Sequence, residues 1–292
     1  MDAMGPDGHG VDRLRTVETR VAQATLVALA IFAPAETYAT WQMLGGLRGL
    51  IHPAYIVTFT GMVLMLVGAV HSLRARPWRS PELLCVSHAW IVGYGLRSAF
   101  WRIDVVRSGE ALYFGIGELW ATVAAVTVGT AILAISFVLT LRAPTSDDPA
   151  AGARRTLETR IAAVSLALLA MFAPIETVAT WQLGGAAALI EPRFVHKIAG
   201  MVLLIVGVQH SLKARPRRAP GAMCAAHAWW AAAGWGATAG RFHAISQGAQ
   251  LRWGAAELWF VAVTTAIALA AFGVSLCLTW TASRHPAPLH SS

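Results

Sequence analysis

The sequence contains one long pattern twice, and both copies consist mainly of apolar segments. The stretch PAETYATWQ begins at Pro34, and PIETVATWQ begins at Pro174. The stretch GMVLMLVGAVHSLRARP from Gly61 returns as GMVLLIVGVQHSLKARP from Gly200. A pattern that recurs at one interval along a chain indicates a duplicated structural unit. We therefore expect two copies of one fold in tandem.

Each copy holds four apolar segments that are long enough to cross a bilayer, which takes about 20 residues. Only 13% of the residues are charged, against about 25% in soluble domains. Lipid offers no partners to backbone polar groups, so such segments must be helical. We predict an all-α polytopic membrane protein with eight transmembrane helices. The predicted spans are 21–44, 54–74, 82–102, 112–139, 161–184, 193–213, 221–241 and 251–280.

Four spans per copy make the two repeats parallel, because each repeat starts on the same side of the membrane. The side with both termini, the linker and the two Arg-rich loops carries 15 of the 23 Lys and Arg residues. Basic residues concentrate on the cytoplasmic side, so we predict a bacterial cytoplasmic (inner) membrane protein with both termini in the cytoplasm. The predicted division is a disordered tail (1–15), repeat 1 (16–142), a cytoplasmic linker (143–155), repeat 2 (156–281) and a second disordered tail (282–292).

The formal charge of +8 does not indicate a nucleic-acid partner, because basic residues in a membrane chain usually report its topology. The predicted partner is the lipid bilayer. Other membrane subunits or a small apolar substrate are further candidates.

Carboxylates and arginines recur within the apolar segments of both copies. A charged side chain at the centre of a span costs roughly 2.5–3.5 kcal/mol, so it needs a partner or a function. We expect the arginines to be the partners of the glutamates, and Pro34 and Pro174 to kink the helices that carry Glu36 and Glu176. The candidate polar clusters are Glu36, Arg102 and Glu118 in the first copy and Glu176, Arg241 and Glu257 in the second.

Histidines and cysteines also recur, one or two turns inside the predicted membrane boundary. The steps of three and four from Cys85 to His88 and onward place one face of the third helix toward the bundle. Neutral histidine is the usual ligand of haem iron, copper and zinc. The candidate metal ligands are His71, His88, His210 and His227, with Cys85 and Cys224 as further donors, and Arg74 and Arg76 could bind haem propionates.

These histidine pairs lead us to a haem- or metal-binding redox membrane protein as the first functional hypothesis, with haem b or a transition metal as cofactor. The plan of two four-helix halves resembles that of haem A synthase. That family takes its ligands from the second and fourth helices of each half, whereas the fourth helix here offers Glu118.

Three other functions fit the same residues. The first is a proton- or cation-coupled transporter of small molecules, in which Glu36 and Glu176 bind the coupling ion. The second is a structural or assembly subunit, in which the polar residues only join helices. The third is an intramembrane acid–base enzyme acting on a lipid or an isoprenoid. Phosphate-binding, dinucleotide-binding and zinc-protease motifs are absent from the sequence.

Overall fold

The computed structural model describes residues 8–74, 82–142, 151–213, 221–251 and 253–283, which form helices joined by short turns, without strands. The helices are Gly8–Met43 (α1), Leu47–Leu50 (α2), Pro53–Arg74 (α3), Glu82–Arg107 (α4), Ile116–Arg142 (α5), Ala151–Leu189 (α6), Pro192–Lys213 (α7), Gly221–Ser246 (α8) and Gly254–Ser283 (α9). We call the end of the bundle with Gly8, Arg74 and Glu82 the inner end, and the opposite end the outer end.

Six helical segments within the described residues are long and apolar enough to cross a membrane. They are Arg13–Met43, Pro53–Arg74, Ile116–Arg142, Thr156–Gln182, Pro192–Leu212 and Gly254–Ala282. Large apolar side chains on their outward faces are exposed, for example Val27 at 63% and Trp259 at 68%. A surface of this kind matches lipid rather than water, so the prediction of an all-helical, multi-pass membrane protein is confirmed.

Helices α4 and α8 are the two long helices that are not among these six segments, and they lie at the centre of the bundle. They pack against each other more extensively than any other two helices in the described part of the chain. Residues 82–90 of α4 and 221–229 of α8 are all buried. The apolar helices therefore shield the polar residues of α4 and α8 from the surroundings.

Small residues allow the central helices to approach closely. A Cβ atom on Gly93 would come within 2.8 Å of the carbonyl oxygen of Trp229, so any larger residue would push α4 away from α8. A Cβ atom on Gly68 of α3 would likewise lie 2.8 Å from the carbonyl oxygen of Leu83, and one on Gly207 of α7 would lie 2.6 Å from that of Ala222. Small residues play this part in membrane bundles generally.

The structure differs from the sequence predictions in where α1 and α6 begin. Helix α1 begins at Gly8 and α6 at Ala151, so both extend into stretches that we predict to be tail and linker. Both helices continue through their internal prolines, and the helical backbone of α6 is interrupted at Gly184 and Gly185. A positive φ of 61° at Gly185 is easily accessible to glycine, which explains why the chain turns there.

Candidate functional site

An arginine and a glutamate join the outer ends of two helices in each half of the molecule. Arg102 of α4 donates from Nε to Glu118 of α5 over 2.7 Å, and Arg241 of α8 donates from Nε to Glu257 of α9 over 2.8 Å. The carboxylates are only 10% and 14% exposed. Charge-assisted bonds of this length are strong, so each pair fixes one helix against its neighbour.

The second oxygen of each glutamate accepts a hydrogen bond from a backbone N–H just before its own helix begins. The backbone N–H of Phe114 donates to Glu118 Oε2 over 3.2 Å, and that of Trp253 donates to Glu257 Oε2 over 3.4 Å. A negative charge at a helix N-terminus is favourable. Each glutamate therefore has two structural roles, which the sequence pattern ELW alone does not indicate.

The glutamates of α1 and α6 do not share one environment. Glu176 forms an ion pair with Lys197 of α7. Glu36 lies within electrostatic range of Arg102 and Glu118, but among the described residues it has no hydrogen bond and no ion pair. The residue that corresponds to Lys197 in the first copy is Thr58, which is buried and uncharged.

A tyrosine further distinguishes the surroundings of Glu36. Tyr94 of α4 lies against Thr58 and within electrostatic range of Glu36 and Arg102. The corresponding residue of the second copy is Ala233. The first half therefore offers neutral hydroxyl groups where the second half offers an ammonium group.

Two of the predicted metal ligands are bonded to hydroxyl groups of neighbouring helices. His88 Nε2 lies 3.0 Å from Thr25 Oγ1, and His227 Nε2 lies 2.8 Å from Ser165 Oγ. The other ring nitrogen of His227, Nδ1, lies 3.1 Å from Ser275 Oγ. These bonds tie α4 to α1 and α8 to α6 and α9.

Of the remaining predicted ligands, the histidines lie on α3 and α7, and the cysteines lie on α4 and α8 with His88 and His227. His71 is buried on α3 with its ring centroid 5.7 Å from that of Trp280, and His210 of α7 is partly buried. The thiols of Cys85 and Cys224 are free and fully buried in one apolar cluster. Arg74 is exposed at the end of α3, and Arg76 lies outside the described residues.

The prediction of a haem or metal site at these histidines stays a prediction. In the part of the chain that the structure describes, no three side chains of His, Cys, Asp or Glu come together in a group that could hold a metal ion.

Sequence reasoning missed several residues that contact these sites. Ser72 donates to Glu18 at the inner end over 2.5 Å, and Ser211 donates to Glu158 in the same way. Both members of each pair recur in the two copies, so the repeat itself contained the signal. Lys197 has no counterpart, and a comparison that keeps only shared residues discards it.

Comparison of the chain with protein-family models, with curated proteins and with solved structures finds no match.

Proposed function

We propose that the protein is a proton- or cation-coupled transporter, and that Glu36 binds the coupling ion. The observation that carries this proposal is the difference between Glu36, which has no ion-pair partner among the described residues, and Glu176, which has Lys197. A carboxylate without a counter-ion inside a membrane is costly and is by default a functional candidate.

The formal charges of the two outer clusters support the proposal. In the second half, the two ion pairs Glu176–Lys197 and Glu257–Arg241 carry two negative and two positive charges, which cancel. Glu36, Glu118 and Arg102 carry two negative charges and one positive charge, which leaves one negative charge. One proton or one monovalent cation would neutralise the first cluster, as Lys197 neutralises the second.

Lys197 also suggests where such an ion binds. Its ammonium group is an internal cation held by the carboxylate of Glu176. In the first half the matching space is bordered by Thr58 and Tyr94, whose hydroxyl oxygens can accept from a hydronium ion or coordinate a small cation. A resident lysine would block ion exchange, so only the first half would exchange its ion.

The proposed topology is that of eight spans with α4 and α8 as the central pair, arranged as two parallel four-helix repeats in a bacterial cytoplasmic membrane. Both termini would lie in the cytoplasm, and the Glu36 cluster would open to the outer side. Two similar halves around a central axis, with ionisable residues inside, are common among transporters.

The experiment is infrared difference spectroscopy of the purified protein, titrated with acid and with Na⁺ or K⁺. We expect one protonated carboxyl band that is absent in Glu36→Gln and present in the control Glu176→Gln. The variant Thr58→Lys, which copies the second half, should also abolish the band while leaving the protein folded. A band that persists in Glu36→Gln would refute the assignment.

Flux measurements test the coupling itself. Vesicles that contain the protein and a trapped pH indicator should show proton or cation movement under an imposed membrane potential. We expect Glu36→Gln and Thr58→Lys to lose this flux at least about tenfold, and Glu176→Gln to retain it. Equal flux in all variants and in empty vesicles would leave only a structural role for Glu36.

A further inference from the structure

A second arginine of α4, Arg97, points toward α8 between the two halves of the molecule. A Cβ atom on Gly236 would lie 2.9 Å from Cδ of Arg97, and one on Gly240 would lie 3.4 Å from Nη2. The first distance is shorter than an ordinary van der Waals contact, and the second is at the lower limit of one. The side chain of Arg97 therefore packs against α8 at a place where Gly236 leaves room for it.

Arg97 has no acidic partner in the described part of the chain, where it forms no hydrogen bond and no ion pair. Its charged neighbours are two further cations, Arg241 and Arg193. Those two are already paired, with Glu257 and Asp104 respectively. The five N–H donors of a guanidinium group are thus available on Arg97, whose positive charge is not compensated by an acid among the described residues.

A histidine beside Arg97 offers one more nitrogen without a partner. His196 of α7 stacks near Trp229 and Phe100, with ring centroids 5.1 Å and 6.2 Å away, and lies within electrostatic range of Arg97. Its Nε2 is buried and has no hydrogen-bond partner among the described residues. A buried polar atom of this kind calls for a bound partner.

The outer parts of α4 and α8 are more open than their inner parts. Residues 94–98 of α4 and 234–239 of α8 are partly exposed, whereas 82–90 and 221–229 are buried. The change occurs after Gly93 of α4 and Ala233 of α8. Arg97 therefore lies just above the level at which the central pair becomes closed.

We propose that Arg97 and His196 bind a small oxyanion, a carboxylate or phosphate group, between the two halves at the outer end. The planar guanidinium fork matches two oxygens of either group, and His196 donates a further hydrogen bond in the tautomer that carries its proton on Nε2. The charge of Arg97, which has no acidic partner among the described residues, favours an anion over a neutral ligand. This site shares no residue with the Glu36 cluster, so either proposal can fail without the other.

The test measures thermal unfolding of the full chain in neutral detergent by tryptophan fluorescence. Sodium acetate or inorganic phosphate replaces sodium chloride at constant ionic strength in one arm, and phosphatidylglycerol is added without either anion in another. The first arm reports a soluble oxyanion and the second a lipid headgroup. We expect at least one to raise the unfolding midpoint of the wild type with a saturable dependence on concentration.

Arg97→Gln should weaken the apparent affinity for the active probe by about tenfold or more, because a charge-assisted contact is lost. The control is Arg193→Gln, which removes an equal charge at the same end from a side chain that is 62% exposed and paired with Asp104. We expect the control to bind the probe within about twofold of the wild type, since exposed charges contribute little.

Two further variants keep the test decisive if Arg97→Gln does not fold. His196→Val installs the residue that the first half has at the equivalent position, Val57, and should weaken binding several-fold. Gly236→Ala places a methyl group against Arg97 Cδ and should do the same. Equal stabilisation by chloride, equal affinity in all variants, or no saturable response to any probe would overturn the proposal.

Discussion

The two halves of the molecule agree closely at some polar sites and differ at others. In both halves an arginine of the third long helix binds a glutamate of the fourth at nearly equal distances, 2.7 Å and 2.8 Å. In both, a histidine binds a hydroxyl group of the first helix. Around Glu36 and Glu176, by contrast, one half has Thr58 and the other has Lys197.

This difference separates two kinds of polar residue. Interactions present in both halves join neighbouring helices in the same way, so they are expected to contribute stability in both. Residues present in one half only, such as Lys197, cannot be needed for the shared fold. The sites of divergence are therefore where we expect the halves to have different roles.

The largest loss of stability is expected from breaking the arginine–glutamate pairs that both halves share. Arg102→Leu and Arg241→Leu each leave a mostly buried carboxylate without its partner, which costs about 3 kcal/mol of unfolding free energy. Unfolding in a denaturing detergent should show similar losses for both variants. A large loss in one half only would show that the pairs are not equivalent, and removal of both Arg102 and Glu118 should recover part of the loss.

A smaller effect is expected from Lys197→Thr, which makes the second half resemble the first. Lys197 is 37% exposed, so we expect a loss of only about 1–2 kcal/mol. The same variant should add a second protonated carboxyl band in the infrared titration, from Glu176. Without that second band, the lysine could not be the reason that the two glutamates differ.

The histidine bonds should contribute less than the ion pairs. Thr25→Val removes the described hydroxyl partner of His88 Nε2 and should cost about 1 kcal/mol. Ser165→Ala should cost less, because His227 keeps its bond to Ser275. Thermal unfolding of the two variants compares them directly, and a larger loss for Ser165→Ala would contradict this order.

The smallest expected change in stability comes from the protonation of His52, which precedes α3 at the outer end. Burial, and then the neighbouring ring of His243, lower the pKa of His52 below its ordinary value of 6.5. As pH falls through this ordinary value, the unfolded chain binds a proton that the folded protein does not yet bind. Stability should therefore decrease on acidification.

His243→Gln tests this effect, because it removes the neighbouring imidazole and should raise the pKa of His52. An NMR titration of the His52 ring measures both values. A lower pKa in the variant than in the wild type would contradict the structure.

The sequence predicts the helices well because each apolar segment is near the length that a bilayer requires. It also indicates Arg102 and Glu118 as candidates, since both copies retain them. It does not predict that Glu118 binds the N–H of Phe114, because that contact depends on where the chain turns into α5. The kink that we predict at Pro34 stays a prediction, and α1 continues through this residue, as a helix can when its neighbours support it.

The partners of the histidines could not be predicted from spacing alone. The residue that bonds to His88 is 63 positions away, and its identity depends on the rotation of α1 against α4. Arg97 and His196 were missed for another reason. Each occurs in one copy only, so a search for shared residues excludes them, although together they make the centre of the molecule asymmetric.

Arg97 lies against Gly236, and these two positions are equivalent in the two copies. In a homodimer of separate four-helix subunits, whatever residue occupied this position would meet itself: two arginines would repel and two glycines would carry no charge. Covalent linkage of the subunits removes that restriction, since each position can then mutate alone. A single positive charge on the midline is thus an arrangement that a fused chain can have and a symmetric dimer cannot.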